Sequence, residues 1–140
     1  MLLADDTIRE EMVKEAEIAF PDECCGFFFG KEENGKRTIT ATRRVDNARD
    51  GDKRRRFAIA PADYLEAERF ADEKGLQLLG VYHSHPGHPA IPSEQDRVAA
   101  QPYFSYVIIS VINKEWNETR SWRLNGEQQF EEEVMPDHKQ

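Results

Sequence analysis

Residues 7–20 place apolar side chains at Ile8, Met12, Ala16 and Phe20. That i, i+4 spacing predicts a helix with one face on a core, with Asp5 or Asp6 as cap and Pro21 as its end. The run CCGFFFGK, closed by Gly30, reads as a buried strand. ENGK at 33–36 is a turn signal, which makes Arg37–Val45 a hairpin partner. A short strand is expected over Phe57–Ala60, and Pro61 opens a second helix that ends near Gly75. Leu76–His83 is apolar and then turns polar, as a central strand does when it emerges at a site. Pro86–Pro92 holds three prolines and one glycine and reads as a rigid loop. Ser93–Gln101 follows as a third helix, and Tyr103–Ile112 is β-branched and aromatic enough for a strand. Asn117–Leu124 and Gln129–Val134 complete the pattern. The predicted class is α+β, with a mixed, mostly antiparallel sheet flanked by helices.

The length of 140 residues fits one domain over residues 1–140, with 127–140 an acidic tail or last strand. With 39% hydrophobic and 33% charged residues, the composition is that of a globular protein. A net charge of −8 argues against nucleic acid as the main partner. No apolar run approaches the ~20 residues of a membrane span. The start, MLLADDTIREEM, lacks the basic and apolar regions of a signal peptide, so the expected location is cytoplasmic. The charge is uneven. Residues 43–56 carry seven bases against three acids, either as a solvated loop or as a docking patch for an acidic partner.

The two cysteines, Cys24 and Cys25, are adjacent, in PDECCGFFFG. A disulfide between neighbours needs a strained ring. A structural zinc site would want a second pair, and the C-x-x-C spacing is absent. Both therefore read as reduced packing residues. Strand alternation sends Cys25 to the same side as Glu23.

The segment most informative about chemistry is VYHSHPGHPAIPSEQD, residues 81–96. His83 and His85 are two apart, so a strand places both rings on one face and Ser84 on the other. Asp96 falls in the first turn of the next helix, where a stiff loop can fold it over the histidines. Two nitrogens and one carboxylate oxygen leave a fourth tetrahedral position open, the arrangement of a catalytic zinc site. The plainer alternative is that Ser93 only caps the helix and that Asp96 only complements its dipole. His88 reads as a loop or rim residue.

His83-Ser84-His85-Pro86, six residues, then Ser93-Glu94-Gln95-Asp96 resembles the signature of the JAMM metallopeptidases, or MPN+ domain. Pro21-Asp22-Glu23-Cys24-Cys25-Gly26 is similar to the upstream glutamate motif of that family. The resemblance covers about residues 1–125 and implies the MPN/JAMM fold, which is cytidine-deaminase-like, in its compact prokaryotic form. It implies one Zn2+ per chain on His83, His85 and Asp96, with Glu23 as general base and Ser93 facing the carbonyl oxygen. It also implies hydrolysis of amide bonds after the C-terminal glycine of ubiquitin-like or sulfur-carrier proteins. The substrate's extended tail is expected to lie along a sheet edge by strand addition, and the arginines at 54–56 to steer an acidic carrier. The competing readings are a noncatalytic MPN scaffold, a phage-tail peptidase and a RadC-like protein. A zinc deaminase would need a P-C-x-x-C segment, which is absent.

Overall fold

Phe27, Phe28 and Phe29 are all buried, and they cannot share one side of a strand. The computed structural model, which describes residues 1–48 and 57–136, resolves this with a sheet covered on both faces. In chain order the elements are β1 (Leu2–Ala4), α1 (Asp6–Ala19), β2 (Cys25–Glu33), β3 (Lys36–Val45), α2 (Pro61–Lys74), β4 (Gln77–Pro86), α3 (Glu94–Ala99), β5 (Ser105–Ile112), β6 (Glu115–Leu124) and β7 (Phe130–Glu133). The seven strands form one sheet in the order β1-β3-β2-β4-β5-β6-β7. β1/β3 and β4/β5 pair parallel, and the other pairs are antiparallel.

Phe28 joins Met12 and Ala16 of α1 in a cluster with Ile39, Tyr82, Val107 and Ile109. Phe27 and Phe29 point the other way and meet Ala67 and Ala71 of α2, with Val81 and Tyr106. Each phenyl ring taken from water contributes about 2–3 kcal/mol. The alanines let α2 lie close to the sheet. Asp5 caps α1 by accepting the Ile8 N–H at 2.9 Å. Pro61 starts α2, and Gly75, at φ 65°, ends it in the left-handed conformation that favours glycine.

Four expectations change. β1 has no counterpart in the sequence reading; it is a three-residue strand added parallel to β3. Phe57–Ala60 joins no ladder, because its Ala58 N–H goes to the Asn47 side chain and its Ala58 C=O to the Ala48 N–H. β4 runs three residues past His83, held by β5 as far as Pro86. α3 is shorter, covering Glu94–Ala99 with Ser93 as its cap. The alternative left open at the C-terminus resolves as a strand, β7, over Phe130–Glu133. The arginines at 54–56 lie outside the described residues. Among the described residues, no helix is long and apolar enough to cross a membrane.

Gly80 sits where β4, β5 and β2 crowd together. A Cβ there would lie 1.9 Å from the Ser105 carbonyl oxygen and 2.6 Å from the Phe28 ring. Backbone cannot yield as a flexible side chain does, so Gly80→Ala is expected to cost about 3 kcal/mol or more. Urea unfolding checks this, and a midpoint equal to wild type would refute it.

Candidate metal centre

β4 carries His83 and His85 to its C-terminal end on the α2 side of the sheet. Ser84, between them, points to the other face. There its hydroxyl oxygen accepts the Cys24 N–H at 2.8 Å, while the Ser84 N–H donates to the Cys24 carbonyl at 3.1 Å. Cys25 pairs with His83 in the ladder. This register places Glu23, two residues before Cys25, on the histidine side.

Ser93 and Asp96 bring the third group. The Ser93 Oγ accepts the Asp96 N–H at 3.0 Å, and the Asp96 Oδ2 accepts the Ser93 N–H at 2.9 Å, a reciprocal cap that fixes the carboxylate. The cap uses Ser93 only as an acceptor, so its own hydroxyl hydrogen remains available to donate. The capping role and the expected role are therefore compatible.

The result is a tight convergence. His83 Nε2 and His85 Nε2 are 3.2 Å apart, and Asp96 Oδ2 lies 3.4 Å and 3.2 Å from them. A tetrahedral ion with bonds of about 2.0–2.1 Å holds its ligand atoms roughly 3.3 Å apart. The donor set thus fits such an ion without rearrangement. Among the described residues, His83, His85 and Asp96 are the group that can hold a metal.

The His85 tautomer follows from its partner. Its Nδ1 is 2.9 Å from the Pro89 carbonyl, which only accepts, so Nδ1 carries the hydrogen and Nε2 offers its lone pair. The loop that presents Pro89 is pinned from β5 and β6. Ser110 Oγ donates to the His88 carbonyl. Glu118 accepts the Ala90 N–H at 3.0 Å, and Trp122 Nε1 donates to the Ala90 carbonyl at 3.0 Å. His83 is different: its Nδ1 is buried and has no hydrogen-bond partner among the described residues.

Burial and charge set the protonation states. Burial opposes ionisation of Asp96, but attraction to His83 and hydrogen bonds from His83, His85 and the Ser93 N–H outweigh it. They hold the acid well below the usual carboxylate range. Burial pushes His83 down, against the pull of Asp96. Burial would lower His85 too, but its bonds to Asp96 and to the Pro89 carbonyl raise it. Glu23 is 6% exposed, and burial pushes it up to about 8, with His85 pulling down and Asp96 pushing up. Its backbone carbonyl accepts from Asn47 Nδ2 at 3.2 Å.

Of the residues singled out from the sequence, His83, His85, Asp96, Ser93 and Glu23 gather at one place. Cys24 and Cys25 are buried free thiols, both pushed up by burial, Cys24 to about 11 and Cys25 to about 12. Cys25 Sγ turns to the Val45 carbonyl. His88 is exposed, and its ring takes no part in the triad. Sequence reasoning missed the Pro89 carbonyl, which no residue type announces, and Phe57, whose ring lies against His83. A cleft of about 270 Å³ opens beside the triad, between Phe57, Tyr64, Ser93 and Tyr106. A larger hollow of about 610 Å³ lies on the opposite face between α1 and β6, away from the triad. Among the described residues, β4 is fourth of seven strands, so its two histidines stand on an interior strand of the sheet.

Comparison with known proteins agrees with the geometry. The profile of the prokaryotic homologues of the JAB domain matches residues 5–125. A desampylase of Pyrococcus furiosus is 28% identical over 110 residues, covering 79% of this chain and 72% of that protein. The CysO-cysteine peptidase of Mycobacterium tuberculosis is 29% identical over 116 residues, covering 81% and 75%. A solved structure from Desulfitobacterium hafniense superposes with a TM-score of 0.84 at 29% identity, over 97% of this chain and 92% of that one. A JAB1/MPN domain protein from Archaeoglobus fulgidus shares the fold, with a TM-score of 0.60 at 16% identity over 96% of each chain. The chain, with its mixed sheet between helices and its His-His-Asp cluster, belongs to the prokaryotic homologues of the JAB domain.

Proposed function

We propose that this protein is a zinc-dependent peptidase that hydrolyses amide bonds after the C-terminal glycine of ubiquitin-like or sulfur-carrier proteins. The observation that carries the reading is the set of three ligand atoms 3.2–3.4 Å apart, at the spacing a tetrahedral ion requires. The names of the relatives support the substrate class: a desampylase, a CysO-cysteine peptidase, and a probable TtuB-protein conjugate cleaving protease of Thermus thermophilus, 44% identical over 52 residues.

Each residue has a task. His83, His85 and Asp96 would hold the ion, and the Pro89 carbonyl keeps the His85 lone pair turned toward the other two ligand atoms. Zinc, when bound there, would supply Lewis acidity at the scissile carbonyl and lower the pKa of water toward neutrality. Glu23 accepts the proton of the attacking water and hands it to the leaving amine. The Ser93 hydroxyl donates to the carbonyl oxygen as negative charge develops on it.

Metal analysis combined with an assay on fusions joined at the C-terminal Gly-Gly of ubiquitin-like carriers tests this. About one zinc per chain and release of the free carrier are expected. A zinc-loaded protein that cleaves no member of a broad carrier panel would overturn the reading.

A further inference from the structure

The two histidines of the triad are supported differently. His85 is fixed by a hydrogen bond from Nδ1 to the Pro89 carbonyl, while both rings bring Nε2 to Asp96. His83 has no such anchor at Nδ1 among the described residues, although that atom is buried. A histidine ring turns broadly about its last torsion, so something else must define its plane. The neighbour in position to do so is Phe57. Its ring stacks on His83, with centroids 4.4 Å apart and planes 26° from parallel.

Phe57 is itself held in register with the site. The adjacent Ala58 donates its N–H to Asn47 Oδ1 at 3.0 Å, and its carbonyl accepts the Ala48 N–H at 2.8 Å. The other end of the same Asn47 amide donates to the Glu23 carbonyl. One side chain therefore ties the segment bearing Phe57 to the backbone of Glu23.

We propose that Phe57 is a positioning residue whose stacked ring sets the plane of His83, the task a carbonyl performs for His85. This rests on reading the triad as a metal site. Stacking fixes the ring without a partner for Nδ1 among the described residues, so preorganisation does the work of the outer hydrogen bond that usually orients a ligand histidine. An aliphatic side chain can fill the volume but cannot present a flat face.

Zinc affinity, measured by competition with a chromophoric chelator, separates the possibilities. Phe57→Leu is expected to weaken zinc binding by about 10-fold, the lower end of the loss seen for outer-shell partners. Phe57→Tyr keeps the face and should stay within about 2-fold of wild type by the same logic. The cobalt-substituted protein adds a second readout: its visible absorption bands should shift in Phe57→Leu and not in Phe57→Tyr. If Phe57→Leu does not fold, Phe57→Met carries the same contrast. Wild-type affinity in a folded Leu or Met variant would overturn the proposal, as would equal losses in Leu and Tyr. Failure of the wild-type protein to bind zinc would instead overturn the metal reading beneath it.

Discussion

Glu23→Gln is expected to retain about one zinc per chain and to lose hydrolysis by roughly 10³-fold, within the range for removing a positioned proton carrier. Glutamine matches the shape of glutamate but cannot accept the proton of the attacking water. Glu23 contributes no atom to the His-His-Asp cluster, so the ion should remain. Full activity in this variant would remove Glu23 from the mechanism.

The same substitution should alter stability in the opposite sense. In the metal-free protein, burial holds the Glu23 pKa near 8, above its ordinary 4.5. The folded state therefore prefers the protonated acid. Its stabilising effect is complete below about pH 4.5 and is lost as pH rises through about 8. Glu23→Gln removes that loss, so the metal-free variant should melt higher than metal-free wild type at pH 8, by about 5 °C. A bound cation pulls the Glu23 pKa down and favours the ionised base. The difference in melting temperature should therefore shrink in the zinc-loaded proteins. Thermal melts at pH 5 and pH 8, with and without zinc, read both effects. A base that destabilises the fold it serves is a common exchange of stability for activity.

Asp96→Ala is the second large expected effect. It deletes one of three ligand atoms and half of the reciprocal cap with Ser93. Zinc affinity should fall by at least about 100-fold, more than the loss of an outer partner would cause, and hydrolysis should drop to background. The cap loss adds a stability cost of about 1 kcal/mol. Metal-free wild type gains further from the depressed Asp96 pKa, a contribution present above the ordinary carboxylate range and lost as pH falls through the folded value. The metal-free Ala variant should therefore unfold at lower urea than metal-free wild type at pH 7, and the gap should narrow in acid. Asp96→Ala with intact zinc binding would show that the third ligand lies elsewhere.

The site was legible because its residues declare themselves by type and spacing. His83 and His85 alternate on a strand, and Ser93 with Asp96 reads as a cap whichever role is assigned. Helix α1 was legible from Ile8, Met12 and Ala16, because a buried stripe needs that period. The misses share a cause: they depend on partners distant in sequence. Leu2–Ala4 is too short to show a period, and β3 makes it a strand. Phe57–Ala60 has a strand's composition, yet its hydrogen bonds go to Asn47 and Ala48. The continuation of β4 to Pro86 depends on the ladder with β5. Pro89 acts through its backbone, which carries no side-chain signature.

Ser84 has a further consequence. Its hydroxyl and amide both engage Cys24, on the face away from the histidines. The strand that carries His83 and His85 is thereby fastened just before the start of β2, at the residue after Glu23. Glu23 and the two histidines then share one paired unit, and a partial opening that leaves β2 and β4 together does not separate them.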